Sequence, residues 1–340
     1  MAQNILEDII KLAKEKRKKI VMPEGNDIRI LQASSYLSKE KICDVILVGN
    51  KNDIIRKAKN NKIDISSICI VSPSEDDKYD EYVNKFYELR KNKGIALEDA
   101  KKYMLDNIYF ATMMVKQGDA DGMVCGACHS TADTLRPALQ IIKMQKGIKY
   151  VSTFFLMQTE NKCLGADGLF VFSDCGLIEL PTTEQFVDIC NCSVKSFESF
   201  SNIEPKVAFI SYSTHGSASS DIVARIKDAV EAVKDTDPVY DVDGELQLDA
   251  AIIEDVAKVK ASKSNVAGKA NILIFPSLEA GNIAYKTAQR FGDMLALGPI
   301  TQGMAKPVND LSRGCSVEDI IGVAAITCIQ AEQINKKEEK

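Results

Sequence analysis

The chain has 340 residues, of which 45% are hydrophobic and 27% charged, and its formal net charge is −5. The length exceeds what one hydrophobic core usually holds, so we expect two domains of an ordinary soluble globular protein. The negative charge gives no electrostatic reason to expect nucleic acid or an anionic membrane as a partner. No apolar run approaches the roughly 18 residues of a membrane span. Ten cysteines without a signal peptide indicate reduced thiols and a cytoplasmic protein.

In the first half of the chain, apolar runs typical of buried strands alternate with helical stretches. After an amphipathic N-terminal helix come the strands KKIVMPEG, CDVILVG and SICIVSP, followed by helices at 27–41, 51–59 and 76–92 respectively. A long helical stretch at 97–116, the strand DGMVCG and a helix at 131–143 complete this part. This alternation predicts a parallel sheet with helices on both faces.

Near residues 146–150 the pattern changes to closely spaced strands, VSTFFLMQT and CLGADGLFVFSDC. Then follow helix 183–200, strand KVAFISYS, helix 219–234, the mixed segment VYDVDGELQLDAAI, strand NILIFPS, helix 280–291 and a last helix from 317 to about 335. We expect the last helix to pack on the first domain. One domain then comprises 1–147 plus 303–340 and the other 148–302, with small-molecule binding expected in the cleft between them.

Nucleotide motifs and histidine-rich metal sites are not indicated. No Gly-x-Gly pair occurs, and the Gly268-Lys269 pair lacks the earlier glycine and the following Ser or Thr of a P-loop. The two histidines are too few for a site built from several of them. One of them, His215, lies in the small-residue loop STHGSASS. The hydroxyl and N–H groups of this loop suit a bound phosphate, or they only cap the next helix.

The segment CGACH at 125–129 matches the attachment pattern of c-type haem, and a Cys-x-x-Cys pair can also be redox-active or half of a zinc site. Haem attachment normally requires an exported chain, and the second cysteine pair of a zinc ribbon is missing. We therefore interpret the segment as a tight turn. The turn would deliver Ser130 and Thr131 as caps for a helix that carries Arg136.

The last loop of the chain, GPITQGMAKPVNDLSRG, is rich in turn formers and predicts irregular backbone held in one shape. The helix after it begins at Ser316, a good N-cap. Ser312, Arg313 and Asp319 therefore lie beside a helix N-terminus, which favours bound anions. Ser316 and Asp319 also have the spacing of a capping box. The residues alone thus leave Asp319 as either a cap or a catalytic acid.

Segments along essentially the whole chain resemble the phosphotransacetylase (phosphate acetyltransferase) family. They are VMPEG, YELRKNKG, STADTLRPALQ, STHGSA, DGELQLDAA, GKANILIFPSLEAGNIAYKTAQR and PVNDLSRGCSVEDI. The resemblance implies two three-layer α/β/α domains with an interdomain active-site cleft, as in isocitrate and isopropylmalate dehydrogenases, and a homodimer. It implies reversible acetyl transfer between coenzyme A and phosphate, by direct thiolate attack in a ternary complex. The ligands would be CoA, acetyl-CoA, phosphate and acetyl phosphate. No metal or cofactor is implied, since CoA is a substrate.

The resemblance also implies residue roles. Asp319 matches the general base that takes the CoA thiol proton, and Ser312 and Arg313 match the pair that positions the acyl phosphate and stabilises the transition state. Arg90 and Arg136 match arginines assigned to the CoA phosphates. The other residues expected to bind CoA or substrate are Arg290, Ser130, Thr131, Ser213, Thr214, Gly216 and Asn309.

Proton transfer from a thiol to a carboxylate needs assistance. With ordinary pKa values of about 8.5 and about 3.9, the transfer is uphill by roughly 6 kcal/mol. We therefore expect either burial of the acid or stabilisation of the thiolate by Arg313 and the helix N-terminus. Under this hypothesis Asp319 is the base, and its capping role is secondary or absent.

Three alternatives remain open from the sequence. A related acyltransferase could prefer butyryl or propionyl groups, because one or two methylenes of pocket change binding by only about 1–3 kcal/mol. A metal-dependent NAD(P) dehydrogenase of similar architecture would need clustered carboxylates and a nicotinamide site, and the sequence shows no such set. A catalytically inactive regulatory module would not need Ser312, Arg313 and Asp319 together.

Overall fold

The structure is a computed structural model that describes residues 5–338, with side chains described as far as residue 334. The chain forms two compact units. The first unit runs through Lys146 and resumes at Met304, and the second spans Gly147–Gly303. Among the described residues, no helix combines the length and the apolar character that a bilayer crossing requires.

Element labels follow chain order through both units. The strands are β1 (Lys19–Met22), β2 (Asp44–Val48), β3 (Cys69–Val71), β4 (Gly122–Cys125), β5 (Ser152–Gln158), β6 (Leu169–Ser173), β7 (Lys206–Ile210), β8 (Asp241–Leu246), β9 (Ile272–Ile274), β10 (Leu295–Gln302) and β11 (Val308–Asp310). The helices are α1 (Ile5–Lys16), α2 (Ile28–Lys39), α3 (Lys51–Asn60), α4 (Tyr79–Arg90), α5 (Leu97–Met104), α6 (Asn107–Gln117), α7 (Thr131–Ile141), α8 (Thr183–Phe197), α9 (Asp221–Lys234), α10 (Leu248–Ile252), α11 (Glu254–Lys260), α12 (Leu278–Phe291) and α13 (Val317–Glu338).

The first unit has one parallel sheet with the strand order β11-β4-β1-β2-β3. Every residue of β4 is buried, as expected for a parallel sheet with both faces covered. Helices α1 and α2 both pack on α13, and α4, α5, α6 and α7 form a second group. α13 from the first group and α6 from the second each contact β1 and β4. The predicted α/β fold with a parallel sheet is confirmed.

The second unit has a mixed sheet with the order β10-β5-β6-β9-β7-β8. β5 pairs antiparallel with both β10 and β6, whereas the remaining pairs are parallel. Alternate residues of β5 and β6, Phe155, Met157, Phe170 and Phe172, form a core with residues of α12 and of the α10–α11 region. Residues two positions apart in a strand point to the same face of the sheet, so these side chains share one face.

The long helical stretch expected at 97–116 is divided into α5 and α6. The carboxylate of Asp106 accepts hydrogen bonds from the N–H groups of Ile108 (2.9 Å) and Tyr109 (3.0 Å), so Asp106 is the N-cap of a new helix. The apolar pattern continues across the break, which is why the sequence suggested one helix. The short helix α11 was not expected at all.

The turn-rich segment that begins at Gly298 is not wholly a loop, contrary to expectation. Its first residues belong to β10, an edge strand whose pairing with β5 is irregular between Leu297 and Ile300. Pro299 has no N–H to donate, and prolines in sheets are tolerated at bulges of edge strands. Gly298 is required there because a Cβ would lie 2.8 Å from the ring of Phe155.

Candidate active site

Three loops of the first unit follow the carboxyl ends of neighbouring strands. Residues 23–27 follow β1, residues 126–130 follow β4, and residues 311–316 follow β11. The strand order reverses between β1 and β4, because β2 and β3 extend the sheet on one side of β1 and β4 and β11 on the other. Open parallel sheets bind ligands beyond the carboxyl ends at such a switch point. The polar groups of these loops are therefore the candidate active site.

The loop after β11 carries two of the expected catalytic residues on a tight turn. Ser312 and Arg313 are exposed, and the N–H of Cys315 donates to the carbonyl of Ser312 at 2.9 Å. The hydroxyl of Ser312 accepts a hydrogen bond from the N–H of Gly314 at 3.3 Å. Within the described residues, the guanidinium of Arg313 makes neither a hydrogen bond nor an ion pair. It is therefore available to an anion.

Asp319, in the first turn of α13, forms the capping box that was the alternative to catalysis. The N–H of Ser316 donates to Oδ2 of Asp319 at 2.9 Å, and the N–H of Asp319 donates to Oγ of Ser316 at 3.1 Å. We expected this cap to be secondary or absent. It is present, because serine at the N-cap and an acid three residues later can satisfy each other's N–H groups. In the part of the chain that is described, Oδ1 of Asp319 has no hydrogen-bond partner.

Glu24, which sequence reasoning did not identify, shapes the loop after β4. Its side chain is 1% exposed. The carboxylate accepts hydrogen bonds from the N–H groups of Ala127 (2.8 Å) and Cys128 (2.7 Å), and it contacts Nδ1 of His129 at 2.7 Å. A buried carboxylate without such partners would be strongly destabilising. The turn and the acid therefore hold each other in place.

Glu24, Cys125 and His129 are also the one group of potential metal ligands found among the described residues. Both oxygens of Glu24 already accept backbone hydrogen bonds. Burial raises the pKa of the Cys125 thiol well above its ordinary value, which opposes the thiolate that a metal requires. This donor chemistry fits a structural turn better than a metal site.

The same turn leads into α7 as predicted. Ser130 is the N-cap and forms a capping box with Asp133, which confirms its expected capping role. Thr131 is the first helical residue, and its hydroxyl donates to Oδ2 of Asp310 at 2.5 Å. Asp310 is 4% exposed, and burial raises the pKa of its carboxyl. Gly126 leaves room for this acid, since a Cβ there would lie 2.3 Å from Oδ1. Thr131 thus ties the β4 loop to the end of β11.

Arg29, also not identified from the sequence, links all three loops. Its Nε and Nη2 donate to the two carboxylate oxygens of Asp27 at 3.1 and 2.9 Å. Nη2 donates also to the carbonyl of Ala127 at 2.8 Å, and Nη1 to the carbonyls of Arg313 (2.8 Å) and Cys315 (3.1 Å). The sequence does show an acidic residue, Asp27, and a basic residue, Arg29, shortly after VMPEG. The sequence does not show which carbonyl groups they reach.

Arg90 and Arg136, the arginines expected at the CoA phosphates, both lie near Tyr109. Arg90 ends α4 and Arg136 lies in α7. Burial raises the pKa of Tyr109, and the charges of both arginines act against this rise. Nε of Arg90 is buried without a partner in the described structure. Tyr109 also lines a cavity of about 430 Å³, together with Tyr103, Lys102 and the two acids Asp99 and Asp106.

In the second unit, the loop containing Ser213, Thr214 and Gly216 binds a carboxylate of its own chain. The hydroxyl of Ser213 and the N–H of Gly216 both donate to Oε1 of Glu245 at 2.8 Å. Although burial alone would raise it, these hydrogen bonds lower the pKa of Glu245. The hydroxyl of Thr214 donates to Gln247 at 3.2 Å. The loop does bind an anion, but in this structure the anion is Glu245, and its donors are not free for a phosphate.

Two other expected ligand-binding residues have contrasting positions. Asn309 is 0% exposed, and its amide donates to Thr327 and Gln330 at 2.8 Å each. It fastens β11 to α13 and offers no surface to a substrate in this structure. Arg290 is exposed on α12 of the second unit, without a hydrogen bond or ion pair among the described side chains.

The family described as phosphate acetyl/butaryl transferase matches residues 4–328. The chain belongs to this family. A relative from Acetivibrio thermocellus, named phosphate acetyltransferase, is 50% identical over 331 residues, 97% of this chain and 99% of the relative. A relative of the same name from Thermoanaerobacterium thermosaccharolyticum is 50% identical over 329 residues, 97% and 100% of the two chains. Family membership makes the chain a phosphate acyltransferase, as expected.

Solved structures of the family have the same fold. A phosphotransacetylase from Streptococcus pyogenes is 42% identical with a TM-score of 0.89, covering 96% of this chain and 99% of that one. A phosphotransacetylase from Staphylococcus aureus is 40% identical with a TM-score of 0.87, covering 97% and 100%. A 4-hydroxythreonine-4-phosphate dehydrogenase from Klebsiella pneumoniae is 12% identical with a TM-score of 0.54, covering 92% and 98%. It shares the fold alone, which confirms the expected dehydrogenase-like architecture.

Asp27 gives a testable pH dependence of stability. Burial alone would raise the pKa of its carboxyl, but hydrogen bonds from Arg29 and Cys128 lower it from 3.8 to about 2. An acid with a pKa lowered by folding stabilises the native state above about pH 4, and this contribution is lost as the pH falls towards 2. We expect Asp27→Asn to lower the free energy of unfolding at pH 7 by about 1–2 kcal/mol, allowing for solvent screening.

Urea unfolding of the Asp27→Asn variant and the parent chain at pH 7 and pH 3 checks this expectation. The difference between the two chains should shrink to about half at pH 3, because the carboxyl is then mostly protonated in the unfolded chain but still mostly ionised in the native one. An equal difference at both pH values would show that the variant acts through packing and not through ionisation.

Proposed function

We propose that the chain catalyses reversible transfer of an acetyl group between coenzyme A and phosphate. The observation that carries this proposal is the family match over residues 4–328, together with relatives about 50% identical that are named phosphate acetyltransferase. The choice of acetyl over butyryl rests on those relatives. The first unit supplies suitable groups at its switch point: an exposed serine and arginine on one turn, and an acid at the start of α13.

We assign the proton transfer to Oδ1 of Asp319. Oδ2 accepts the capping hydrogen bond from Ser316, which fixes the carboxylate and leaves the other oxygen for the CoA thiol. Because transfer between ordinary thiol and carboxyl groups is uphill by roughly 6 kcal/mol, the thiolate must be stabilised as it forms. Arg313 and the N-terminus of α13 are the groups that do so. Capping and catalysis are then compatible functions of one side chain.

In the direction that forms acetyl-CoA, the thiolate sulfur attacks the carbonyl carbon of acetyl phosphate within a ternary complex. The bond from that carbon to the phosphate oxygen then breaks, and phosphate leaves with the proton that Asp319 had taken from the thiol, which regenerates the carboxylate. The hydroxyl of Ser312 donates a hydrogen bond to the developing oxyanion. The planar guanidinium of Arg313 binds phosphate oxygens through two N–H groups, a geometry that lysine cannot reproduce.

Arg90 and Arg136 are proposed to bind the CoA phosphates. Their support is the location of both arginines near Tyr109, which itself lines a cavity, and the unpartnered buried Nε of Arg90. A KM for 3′-dephospho-CoA equal to that for CoA would remove the 3′-phosphate from this assignment. We assign Arg290 to a further anionic group of the substrates, since its guanidinium is exposed.

Several expectations from the sequence remain predictions. They are the domain division into 1–147 plus 303–340 and 148–302, the interdomain cleft, the homodimer, the cytoplasmic location and a reaction without metal or other cofactor. The proposed chemistry is consistent with the last of these, because a base, an oxyanion donor and a phosphate-binding cation account for every bond made and broken.

The proposed activity predicts phosphate-dependent release of the CoA thiol from acyl-CoA. With acetyl-CoA and butyryl-CoA assayed in separate reactions, we expect kcat/KM to favour acetyl-CoA by about tenfold or more, since pocket differences of one or two methylenes produce such ratios. Thiol release measured with a chromogenic disulfide gives both values. Release that does not require phosphate would contradict acyl transfer to phosphate, and a preference for butyryl-CoA would correct only the acyl group.

Asp319→Asn tests the general base. Asparagine keeps an oxygen that can accept the capping hydrogen bond from Ser316 but cannot take a proton. We expect kcat to fall by about 100-fold or more while the melting temperature stays close to that of the parent chain. The matched control is Glu318→Gln, which removes an exposed acid from the same helical turn and should leave kcat unchanged. Near-normal turnover of Asp319→Asn would exclude this residue as the base.

A further inference from the structure

All five N–H groups of the Arg29 guanidinium donate hydrogen bonds. Arginine has five N–H groups in a fixed plane. Those of Arg29 donate to both carboxylate oxygens of Asp27 and to three backbone carbonyls, of Ala127, Arg313 and Cys315. Lysine, with three donors on one nitrogen, cannot reach acceptors so arranged. The site therefore requires arginine and not simply a positive charge.

Asp27 holds this guanidinium in a fixed place. Asp27 is the N-cap of α2 and accepts a hydrogen bond from the N–H of Arg29 at 2.8 Å, in addition to the two from the guanidinium. The Cys128 thiol donates to the same carboxylate at 3.2 Å. A rigid helix start therefore anchors the arginine that reaches the other loops.

Arg29 is the residue that hydrogen-bonds the turn at residues 312–315 to other parts of the first unit. Two hydrogen bonds close it internally, from the N–H groups of Gly314 and Cys315 to Ser312. Among the described residues, the only hydrogen bonds between this turn and the rest of the chain come from Nη1 of Arg29. Nη1 donates to the carbonyls of Arg313 and Cys315, the residues on either side of Gly314. The backbone is therefore held at Arg313 itself and again two residues later.

From this geometry we infer that Arg29 is a positioning residue for acyl transfer: through the carbonyls of Arg313 and Cys315 it holds the Ser312–Arg313 turn in the shape that binds the acyl phosphate. The inference rests on the proposed function, because the turn matters only if Ser312 and Arg313 contact the substrate. Arg29 itself contacts backbone and Asp27, and it acts through the turn.

A double-mutant cycle distinguishes this role from a general effect on the fold. We expect Arg29→Lys to lower kcat for acetyl transfer about tenfold or more. In an Arg313→Ala background, where the positioned guanidinium is gone but the carbonyl remains, the same substitution should lower kcat less than about threefold. Arg56→Lys is the matched control, since Arg56 is exposed and pairs with Asp53. It should leave kcat unchanged in both backgrounds.

A second measurement reports the shape of the turn without using activity. Cys315 is 6% exposed, and burial raises the pKa of its thiol to about 11, so alkylation at pH 8 should be slow. Lysine at position 29 keeps the charge but releases the turn. Alkylation of Cys315 by iodoacetamide, followed by mass spectrometry relative to the exposed Cys163, should become about threefold faster or more in Arg29→Lys.

The outcomes separate this inference from the proposed function. An equal loss of kcat from Arg29→Lys in both backgrounds, or an unchanged kcat in an active chain, would overturn the positioning role. Unchanged alkylation of Cys315 would overturn the structural step. If the parent chain transfers no acetyl group, the proposed function fails, while the alkylation rates still test the attachment of the turn. Arg29→Gln replaces the lysine variant if circular dichroism shows that the latter does not fold.

Discussion

One buried and one partly buried charge satisfy the backbone at the switch point of the first sheet, and the geometry of the candidate site depends on them. Beyond the ends of β1, β4 and β11, N–H and carbonyl groups no longer have strand partners, and buried groups of this kind must find others. The carboxylate of Glu24 accepts the N–H groups of Ala127 and Cys128, and the guanidinium of Arg29 donates to the carbonyls of Ala127, Arg313 and Cys315. Loops that would otherwise be free in conformation are fixed by these charges.

This arrangement lets the first unit present the exposed groups that we propose to be catalytic on a hydrogen-bonded support. Ser312 and Arg313 are exposed, whereas the groups beneath them are paired. Asp319 gains a fixed orientation from its cap at the start of α13, and Asn309 fixes the strand before the turn to that same helix. A pre-positioned site of this kind does not lose free energy to reorganisation when charge develops during the reaction.

Local patterns in the sequence were sufficient for the fold and for part of the site. Apolar runs separated by helical stretches predict the parallel sheet, the tight turn after β4 predicts the cap at Ser130, and serine followed three residues later by an acid predicts the cap at Ser316. The roles of Ser312, Arg313 and Asp319 came from resemblance and remain proposals. The residues that were missed act over long distances in the chain: Arg29 lies 284 residues from Arg313. A hydrogen bond to a backbone carbonyl does not depend on the side chain of the accepting residue. The sequence therefore does not indicate where such bonds form.

The same limitation applies to other features whose structural partners the sequence did not show. The donors in the loop at Ser213 looked suited to a phosphate, but their acceptor, Glu245, lies in a strand 32 residues away. Asn309 is close in sequence to the turn at residues 312–315, yet successive side chains of a strand point to opposite faces, and Asn309 points to α13. Pro299 suggested a loop because prolines are rare in strands, and only the position of β10 at a sheet edge makes it acceptable.

The central claim is that Asp319, Ser312 and Arg313 support direct transfer between bound CoA and bound phosphate, without an acyl-enzyme. Exchange of radiolabelled phosphate into acetyl phosphate, measured with and without CoA, tests it most directly. Direct transfer predicts that label enters acetyl phosphate only when CoA is present, because the acetyl group leaves phosphate solely by moving to the thiol. Exchange without CoA, at a rate comparable to turnover, would show that the chain itself holds the acetyl group and would contradict the account.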